Sequence, residues 1–244
     1  MKRLKPGTDI ALGTATDPYQ PLERKHRITR SLLEVFARTS GLSLRIVTKS
    51  ILIVRDLDLL REIAQRHKLT VHFTVTTTDR DLARILEPRA PRPDLRLRTV
   101  ARLRQAGLRT GVMCSPLMPG ITDSRSSITA VAKAAVAADA SFFAAGALFL
   151  KPCSLPTFLE FVGRHFPDQL DSYAQRYRTS AFVSPAYRSR TQKLVEMIRS
   201  EYKLGTRYAE NDAKRNTFEN PETVELQPGL PFSCAESVSL KSAQ

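Results

Sequence analysis

The sequence predicts an α/β fold of parallel strands followed by a group of helices. Short apolar, β-branched runs alternate with segments in which apolar residues recur at three- and four-residue spacing, as in repeated βα units. Successive runs begin roughly 26 to 40 residues apart, which suits strands joined by right-handed helical crossovers. These observations leave two architectures open, a doubly wound sheet and a full or partial TIM-type barrel.

The elements follow in a regular order until about residue 153. Strands are predicted at residues 10–14, 44–49, 70–76, 110–116 and 142–150. The helices between them are predicted at residues 30–39, 57–67, 79–86, 94–107 and 126–138. Three further helices are predicted at residues 155–166, 169–177 and 187–202. We therefore divide the chain into a barrel region (1–153), a C-terminal helical extension (154–205) and a polar, aperiodic tail (206–244) that is predicted to be disordered.

The composition excludes several classes of protein. The 244 residues, 42% of them hydrophobic, are enough to bury one sizeable core, but no uninterrupted apolar run is long enough to span a membrane. The sequence shows no secretory signal and no GxGxxG or P-loop pattern. Its cysteines, Cys114, Cys153 and Cys234, are far apart and form no CxxC pair. The expectation is a cytoplasmic protein without a disulfide framework.

The net charge of +14 lies mainly in the barrel region. Residues 1–110 hold 23 Lys and Arg against 11 Asp and Glu, a difference of +12. Nucleic acid or another polyanion is therefore a candidate partner. The alternative is a solvated basic surface, because no nucleic-acid-binding motif accompanies the charge.

Hydroxyl and charged residues follow the predicted strands. The first strand runs into "ALGTATDPYQP" (residues 11–21), which is crowded with hydrogen-bonding groups. Parallel strands end at one shared edge, so these residues are expected to meet there. The predicted rim consists of Thr14, Thr16, Asp17, Tyr19, Thr48, Lys49, Ser50, Thr74, Thr76, Thr77, Thr78, Cys114, Ser115 and Lys151. A polar ligand with hydroxyl and charged groups would suit it.

Each of these features also has a simpler interpretation. "TATD" and "TTTD" stand before helices and could be N-cap clusters. "MPGITD" could be a turn followed by an N-cap, and Lys49 could be a solvated surface lysine. The scattered histidines are more simply structural or exposed than catalytic.

Four segments in order, "GTATDPYQP", "TKS", "EPRAP" and "PGITD", carry a family resemblance. The sequence resembles the radical S-adenosylmethionine (SAM) superfamily, and within it the spore-photoproduct-lyase-like proteins, from about residue 8 to 205. The resemblance implies a partial (β/α)6 barrel with SAM and a [4Fe-4S] cluster at the carboxyl rim. It also implies reductive cleavage of SAM to a 5′-deoxyadenosyl radical, with DNA lesion repair as the related activity. By this likeness Thr14, Thr16, Asp17, Lys49, Thr74 and Thr76 would contact SAM.

The sequence departs from the family at the cluster motif. The CxxxCxxC that holds the cluster in the family, after the first barrel strand, is absent, so the resemblance implies that the first βα unit is missing. The expectation is a fragment, a chain that pairs with a polypeptide carrying the cluster segment, or a degenerate homologue. Two other functions stay open: a non-catalytic remnant that binds nucleic acid or a protein, and a barrel enzyme for a phosphate ligand.

Overall fold

The computed structural model describes residues 5–207, and its strands form one parallel sheet of five. The strands are β1 (Asp9–Leu12), β2 (Ser43–Thr48), β3 (Lys68–Thr74), β4 (Thr110–Leu117) and β5 (Phe143–Ala147). All five predicted strands are confirmed, with shifts of a few residues at their ends.

The order of the strands decides between the two architectures that the sequence left open. The sheet runs β1-β2-β3-β4-β5, so every strand lies beside its neighbour in the sequence and every pairing is parallel. A doubly wound sheet instead reverses its order at a switch point. The sequential order is that of a barrel wall, and the predicted partial barrel is confirmed. Within residues 5–207 the outer edge of β1 has no partner strand.

Helices connect the strands and follow them. They are α1 (Glu23–His26), α2 (Ile28–Ala37), α3 (Leu57–Arg66), α4 (Arg80–Leu86), α5 (Pro93–Gln105), α6 (Arg125–Ala137), α7 (Leu155–His165), α8 (Leu170–Arg176) and α9 (Pro185–Glu201), with 3-10 helices at Ile51–Asp56 and Pro167–Gln169. All eight predicted helices are confirmed. Helix α1 and the 3-10 helices were not predicted from the sequence, because segments this short show no helical period.

The main core lies between the outer face of the sheet and the helices that cover it. On β3, Leu69, Val71 and Phe73 alternate with residues of the inner face and are buried. Leu60 of α3 and Val131 of α6 are fully buried in the same core. This packing fixes the sheet and therefore the position of every strand end.

A second core links the end of β5 to the C-terminal helices. Leu148 and Leu150 pack there with Val162 of α7 and Tyr173 of α8. Helix α9, in contrast, buries Ile198 in the main core and packs on β5 and α6. The domain boundary at residues 153 and 154 stays a prediction.

No helix in the described part of the chain is long and apolar enough to cross a membrane. Apart from its first two residues, the predicted disordered tail (206–244) lies outside the described residues.

Candidate functional site

The loop after β1 passes very close to the end of β2. Gly13 has a φ of 92°, and a Cβ placed on it would lie 2.1 Å from the backbone oxygen of Val47. Only glycine fits this combination of positive φ and backbone contact. The close approach brings residues 14–19 to the rim at β2.

Asp17 joins this loop to β2. Its Oδ1 accepts hydrogen bonds from the Thr48 hydroxyl at 2.7 Å and from the backbone N–H of Tyr19 at 2.9 Å. Its Oδ2 accepts from the backbone N–H of Lys49 at 2.8 Å. Three donors thus hold the carboxylate, which makes Asp17 a positioning group that fixes Lys49 relative to the β1 loop.

Buried groups anchor the other side of the loop. Tyr19 is only 1% exposed and belongs to the main core, and the Thr29 hydroxyl donates to the Pro18 carbonyl at 2.5 Å. Burial raises the pKa of Tyr19 above its usual range, so the phenol stays protonated. The crowding of residues 11–21 is therefore explained largely by anchoring of the loop on both sides.

A partly buried ion-pair network lies next to this anchor. Arg55 donates to Glu23 at 2.9 Å and to Asp56 at 2.8 Å, and Arg30 contacts Asp56 at 2.9 Å and Asp58 at 2.9 Å. Glu23 also accepts from two backbone N–H groups of α2. Burial alone would raise the pKa of Glu23, but these donors hold it below its usual value. The network ties α1, α2 and the first 3-10 helix together behind the rim.

Lys49 is paired at the rim. Its Nζ lies 2.8 Å from Glu87 Oε1, with the Lys49 side chain 40% exposed. Glu87 Oε2 lies 2.6 Å from the buried guanidinium of Arg96, which also donates to the carbonyls of Thr74 and Pro91. The interpretation of Lys49 as a purely solvated lysine is therefore wrong. The pairing fixes its ammonium between the ends of β2 and β3.

The ion pairs of Glu87 with Lys49 and Arg96 make the free energy of unfolding depend on pH, and the direction of this dependence follows from the pKa of Glu87. Burial alone would raise the pKa of Glu87, but Arg96 and Lys49 lower it below its usual value. A lowered pKa adds stability above the unfolded-state value of about 4.3, and this contribution is lost as the pH falls through the folded-state pKa. Glu87→Gln should therefore cost most stability near neutrality and progressively less below about pH 4. Chemical denaturation at several pH values measures this.

Glu62→Gln is the matched control, since Glu62 pairs with Arg66 on the exposed surface of α3. Its effect should stay below about 0.5 kcal/mol at any pH. A Glu87→Gln cost that does not change with pH would contradict the account.

The ends of β3 and β4 meet beside this group. Thr76 is buried and donates to the Ser115 carbonyl at 3.3 Å, and the Ser115 hydroxyl donates to the Gly146 carbonyl of β5 at 3.4 Å. The register between β4 and β5 shifts between Cys114 and Leu117. Such a bulge re-aims side chains at a barrel rim.

The structure brings some predicted site residues together and leaves others apart. Asp17 and Lys49 share direct contacts, while Thr14 and Thr16 are exposed on the loop after β1. Thr74 is buried as the last residue of β3, and its carbonyl is already taken by Arg96. The simpler interpretation of "TTTD" is correct for Asp79, which caps α4. The contact of the predicted site residues with SAM stays a prediction; these residues are Thr14, Thr16, Asp17, Lys49, Thr74 and Thr76.

The turn that follows β4 matches its simpler interpretation. The Thr122 hydroxyl oxygen accepts a hydrogen bond from the backbone N–H of Met118 at 2.8 Å, and Asp123 accepts one from the N–H of Gly120 at 2.8 Å. The N-cap of α6 is Ser124. "MPGITD" is thus a turn followed by an N-cap.

The comparisons with known proteins agree with this architecture. A family model described as the radical SAM superfamily matches residues 1–128. The chain belongs to the radical SAM superfamily. An uncharacterized protein of Mycobacterium tuberculosis is 32% identical over 195 residues, which cover 80% of this chain and 57% of the relative. An uncharacterized protein of Methanocaldococcus jannaschii is 28% identical over 114 residues, 47% of this chain and 42% of the relative.

Solved structures show the same fold. A spore photoproduct lyase mutant with bound AdoMet and dinucleoside spore photoproduct has a TM-score of 0.59 and 16% identity, over 82% of this chain and 60% of that one. Another mutant of the lyase has a TM-score of 0.58, with the same identity and coverage. Identity this low supports the fold alone. This radical SAM chain spans 57% of the mycobacterial relative and 60% of the lyase.

The donors of this chain do not fit a [4Fe-4S] cluster. Cys114 is buried in β4, where burial raises the pKa of its thiol to about 12, and Cys153 lies beyond β5. Cys234 is outside the described residues. Within residues 5–207 no group of three His, Cys, Asp or Glu side chains could hold a metal ion. SAM is different, because carboxylate, ammonium and ribose groups match the lysine and hydroxyls at the rim.

Two important residues were not predicted from the sequence. Glu87 and Arg96 fix Lys49, yet neither was among the predicted contacts of SAM. Glu87 opens the quoted "EPRAP" segment, so a signal was present. Glu87 pairs with a lysine that stands 38 positions earlier in the chain. This pairing depends on β2 and β3 lying side by side in the sheet, which a local sequence pattern does not indicate.

Proposed function

We propose that this chain supplies the SAM-binding part of a radical SAM enzyme. The observation that carries the proposal is a half-exposed lysine ammonium, Lys49, held in place at the carboxyl rim of a barrel wall. The family membership and the exposed hydroxyls on the neighbouring β1 loop support it. Carboxyl rims of parallel barrels are where such folds bind their ligands.

Each rim residue has a role that follows from its contacts. Lys49 pairs with the methionyl carboxylate of SAM, in exchange for or beside Glu87. Thr14 and Thr16 offer hydroxyls to the ammonium and ribose, and Asp17 positions the loop that carries them. Thr76 joins the β3 and β4 ends, whose backbone would face the adenine. When bound and reduced, SAM supplies the deoxyadenosyl group that abstracts hydrogen from a substrate.

An incomplete edge supports a partner segment for the cluster. The outer side of β1 has no strand within the described residues. On α2, which follows β1, Ile28 is 70% exposed, Leu32 38% and Val35 51%. Their spacing of four and three residues forms one apolar stripe along the helix.

The direction of this stripe is fixed by the opposite flank of α2. Arg30 points toward the first 3-10 helix and the start of α3, where it binds Asp56 and Asp58. At about 100° per residue, Ile28 and Leu32 lie roughly 160° from Arg30 around the helix. The apolar stripe therefore faces away from α3, toward the side on which β1 has a free edge.

A βα unit added to this edge would cover both features. Its strand would pair with β1 and its helix would bury the stripe on α2. We assign the cluster ligands to such a unit, either elsewhere in a longer polypeptide or in a separate chain. The match covers 57% of the mycobacterial relative, so a polypeptide of that length has room for such a βα unit.

The fold likeness to spore photoproduct lyase also makes DNA lesion repair the reaction class that we propose for the assembled enzyme. The net charge of +14 favours a polyanionic substrate. Fold alone does not decide the substrate.

Calorimetric titration of SAM tests the assignment of the rim. With a cluster-bearing βα unit fused or co-expressed, Lys49→Ala should weaken SAM binding roughly 10- to 150-fold, which corresponds to one charged hydrogen bond. Circular dichroism should show retained folding.

Lys133→Ala is the matched control, because Lys133 is an exposed lysine on α6. It should bind SAM as the parent does. Parental affinity in Lys49→Ala would refute the role of Lys49, and loss of affinity in both variants would point to a general charge effect.

A further inference from the structure

A pair of exposed aromatic rings follows the end of β5. Phe149, two residues beyond Ala147, forms an isolated antiparallel bridge with Phe182, and the N–H of Leu150 donates to the Ala181 carbonyl at 2.8 Å. Residues of a strand alternate between its faces, so the buried Leu148 and Leu150 direct Phe149 outward. The bridge sets both rings on the same outer face.

The two rings stack on each other and are partly open to solvent. Their centroids lie 5.9 Å apart at an interplanar angle of 26°, and Phe149 is 55% and Phe182 40% exposed. The Arg188 guanidinium lies 5.7 Å from the centre of the Phe182 ring. Neither phenylalanine belongs to a core. We call Phe149, Phe182 and Arg188 the aromatic platform.

The chain segment that carries Phe182 and Arg188 is basic. Between Asp171 and Glu196 the chain has no carboxylate side chain, but it has five cations: Arg176, Arg178, Arg188, Arg190 and Lys193. Lys151 follows Phe149 closely and is exposed. The ion pairs found among residues 5–207 do not include Lys151, Arg178 or Arg188.

We propose that the aromatic platform binds an unpaired base of a nucleic acid strand, with the cations around it contacting the phosphates. Exposed rings beside cations that form no ion pair within residues 5–207 are what single-stranded nucleic acid requires, because bases stack on aromatic faces and the backbone is anionic. A purely apolar peptide would leave the cations without partners. The platform follows β5 at the rim that holds Lys49, so it names the substrate class of the proposed function and rests on that function for its catalytic meaning.

Fluorescence anisotropy with the full chain tests the platform. The probes are a labelled oligothymidylate and a blunt duplex of the same length. We expect tighter binding to the single strand, and Phe149→Ala and Phe182→Ala should each weaken it roughly 5- to 150-fold. Arg188→Gln should reduce the slope of the logarithm of the binding constant against the logarithm of the salt concentration by about one, which corresponds to the loss of one phosphate contact.

Val136→Ala is the matched control. Val136 is 45% exposed near the C-terminal end of α6, and helices that follow parallel strands end at the opposite edge of the sheet. It should bind the oligonucleotide as the parent does, and Phe149→Trp should retain affinity because stacking is preserved. Circular dichroism checks the fold of each variant.

The outcomes separate the platform from the SAM site. Equal binding of single strand and duplex, no binding by the parent, or parental affinity in the Phe149→Ala/Phe182→Ala double variant would overturn the platform. SAM titration of the same double variant, in the fused form, should be unchanged. If Lys49→Ala fails to alter SAM binding while the platform variants lose the oligonucleotide, only the SAM assignment falls.

Discussion

Arg55→Met is expected to lower the free energy of unfolding by about 3 to 5 kcal/mol, which would unfold a large part of a marginally stable population. Arg55 lies between Glu23, whose side chain is 4% exposed, and Asp56, which is fully buried. The substitution removes the cation but leaves both carboxylates away from water. Asp56 keeps its contact with Arg30, and Glu23 keeps two backbone N–H donors, so the cost comes from buried carboxylates that are left with fewer partners.

Urea denaturation measures the effect, with Arg61→Met as control. Arg61 is exposed on α3, so its replacement should change the free energy of unfolding by no more than about 0.5 kcal/mol. A cost for Arg55→Met as small as that of the control would show that water reaches Glu23 and Asp56.

Gly13→Ala should destabilise the protein by about 2 to 6 kcal/mol. A strained φ costs about 1–3 kcal/mol, and an atom forced into a packed space costs about 1–3 kcal/mol more. At Gly13 both apply, because φ is 92° and the new Cβ would lie 2.1 Å from Val47 O. The backbone would have to shift at the point where the β1 loop meets β2, so SAM affinity in the fused form should fall too.

Gly107→Ala separates the two contributions. Gly107 has a φ of 82°, but a Cβ there would meet nothing within 4 Å. Its replacement should therefore cost only the conformational part, about 1–2 kcal/mol. Equal melting temperatures for the two variants would contradict the close contact of the β1 loop with Val47.

The fold could be read from the sequence because periodicity reports burial directly. Alternating runs such as "TVHFTVT" predicted the strands. The family resemblance implied the partial barrel, and the sequential strand order confirmed it. The site was harder to predict. Asp17 was expected to contact SAM, and the structure gives it a hydroxyl and a backbone donor from the end of β2.

What the sequence could not provide were pairings across distant segments. Lys49 to Glu87, Arg96 to Thr74 and Arg55 to Glu23 all join elements that only the sheet and its helices bring together. The aromatic platform has the same origin, because Phe149 and Phe182 meet through an isolated bridge. Local patterns predict which residues are polar at the rim, but not which of them are already occupied by one another.

Formation of 5′-deoxyadenosine from SAM under reducing conditions tests the central claim most directly. This chain alone, reconstituted with iron and sulfide, should hold no stoichiometric [4Fe-4S] cluster and form no 5′-deoxyadenosine, because its sequence contains no CxxxCxxC motif. Joined to a βα unit that carries a CxxxCxxC, it should form the product, and Lys49→Ala should reduce the yield at low SAM concentration. An assembly with a fully loaded cluster that forms no 5′-deoxyadenosine, or a chain that forms it alone, would contradict the account.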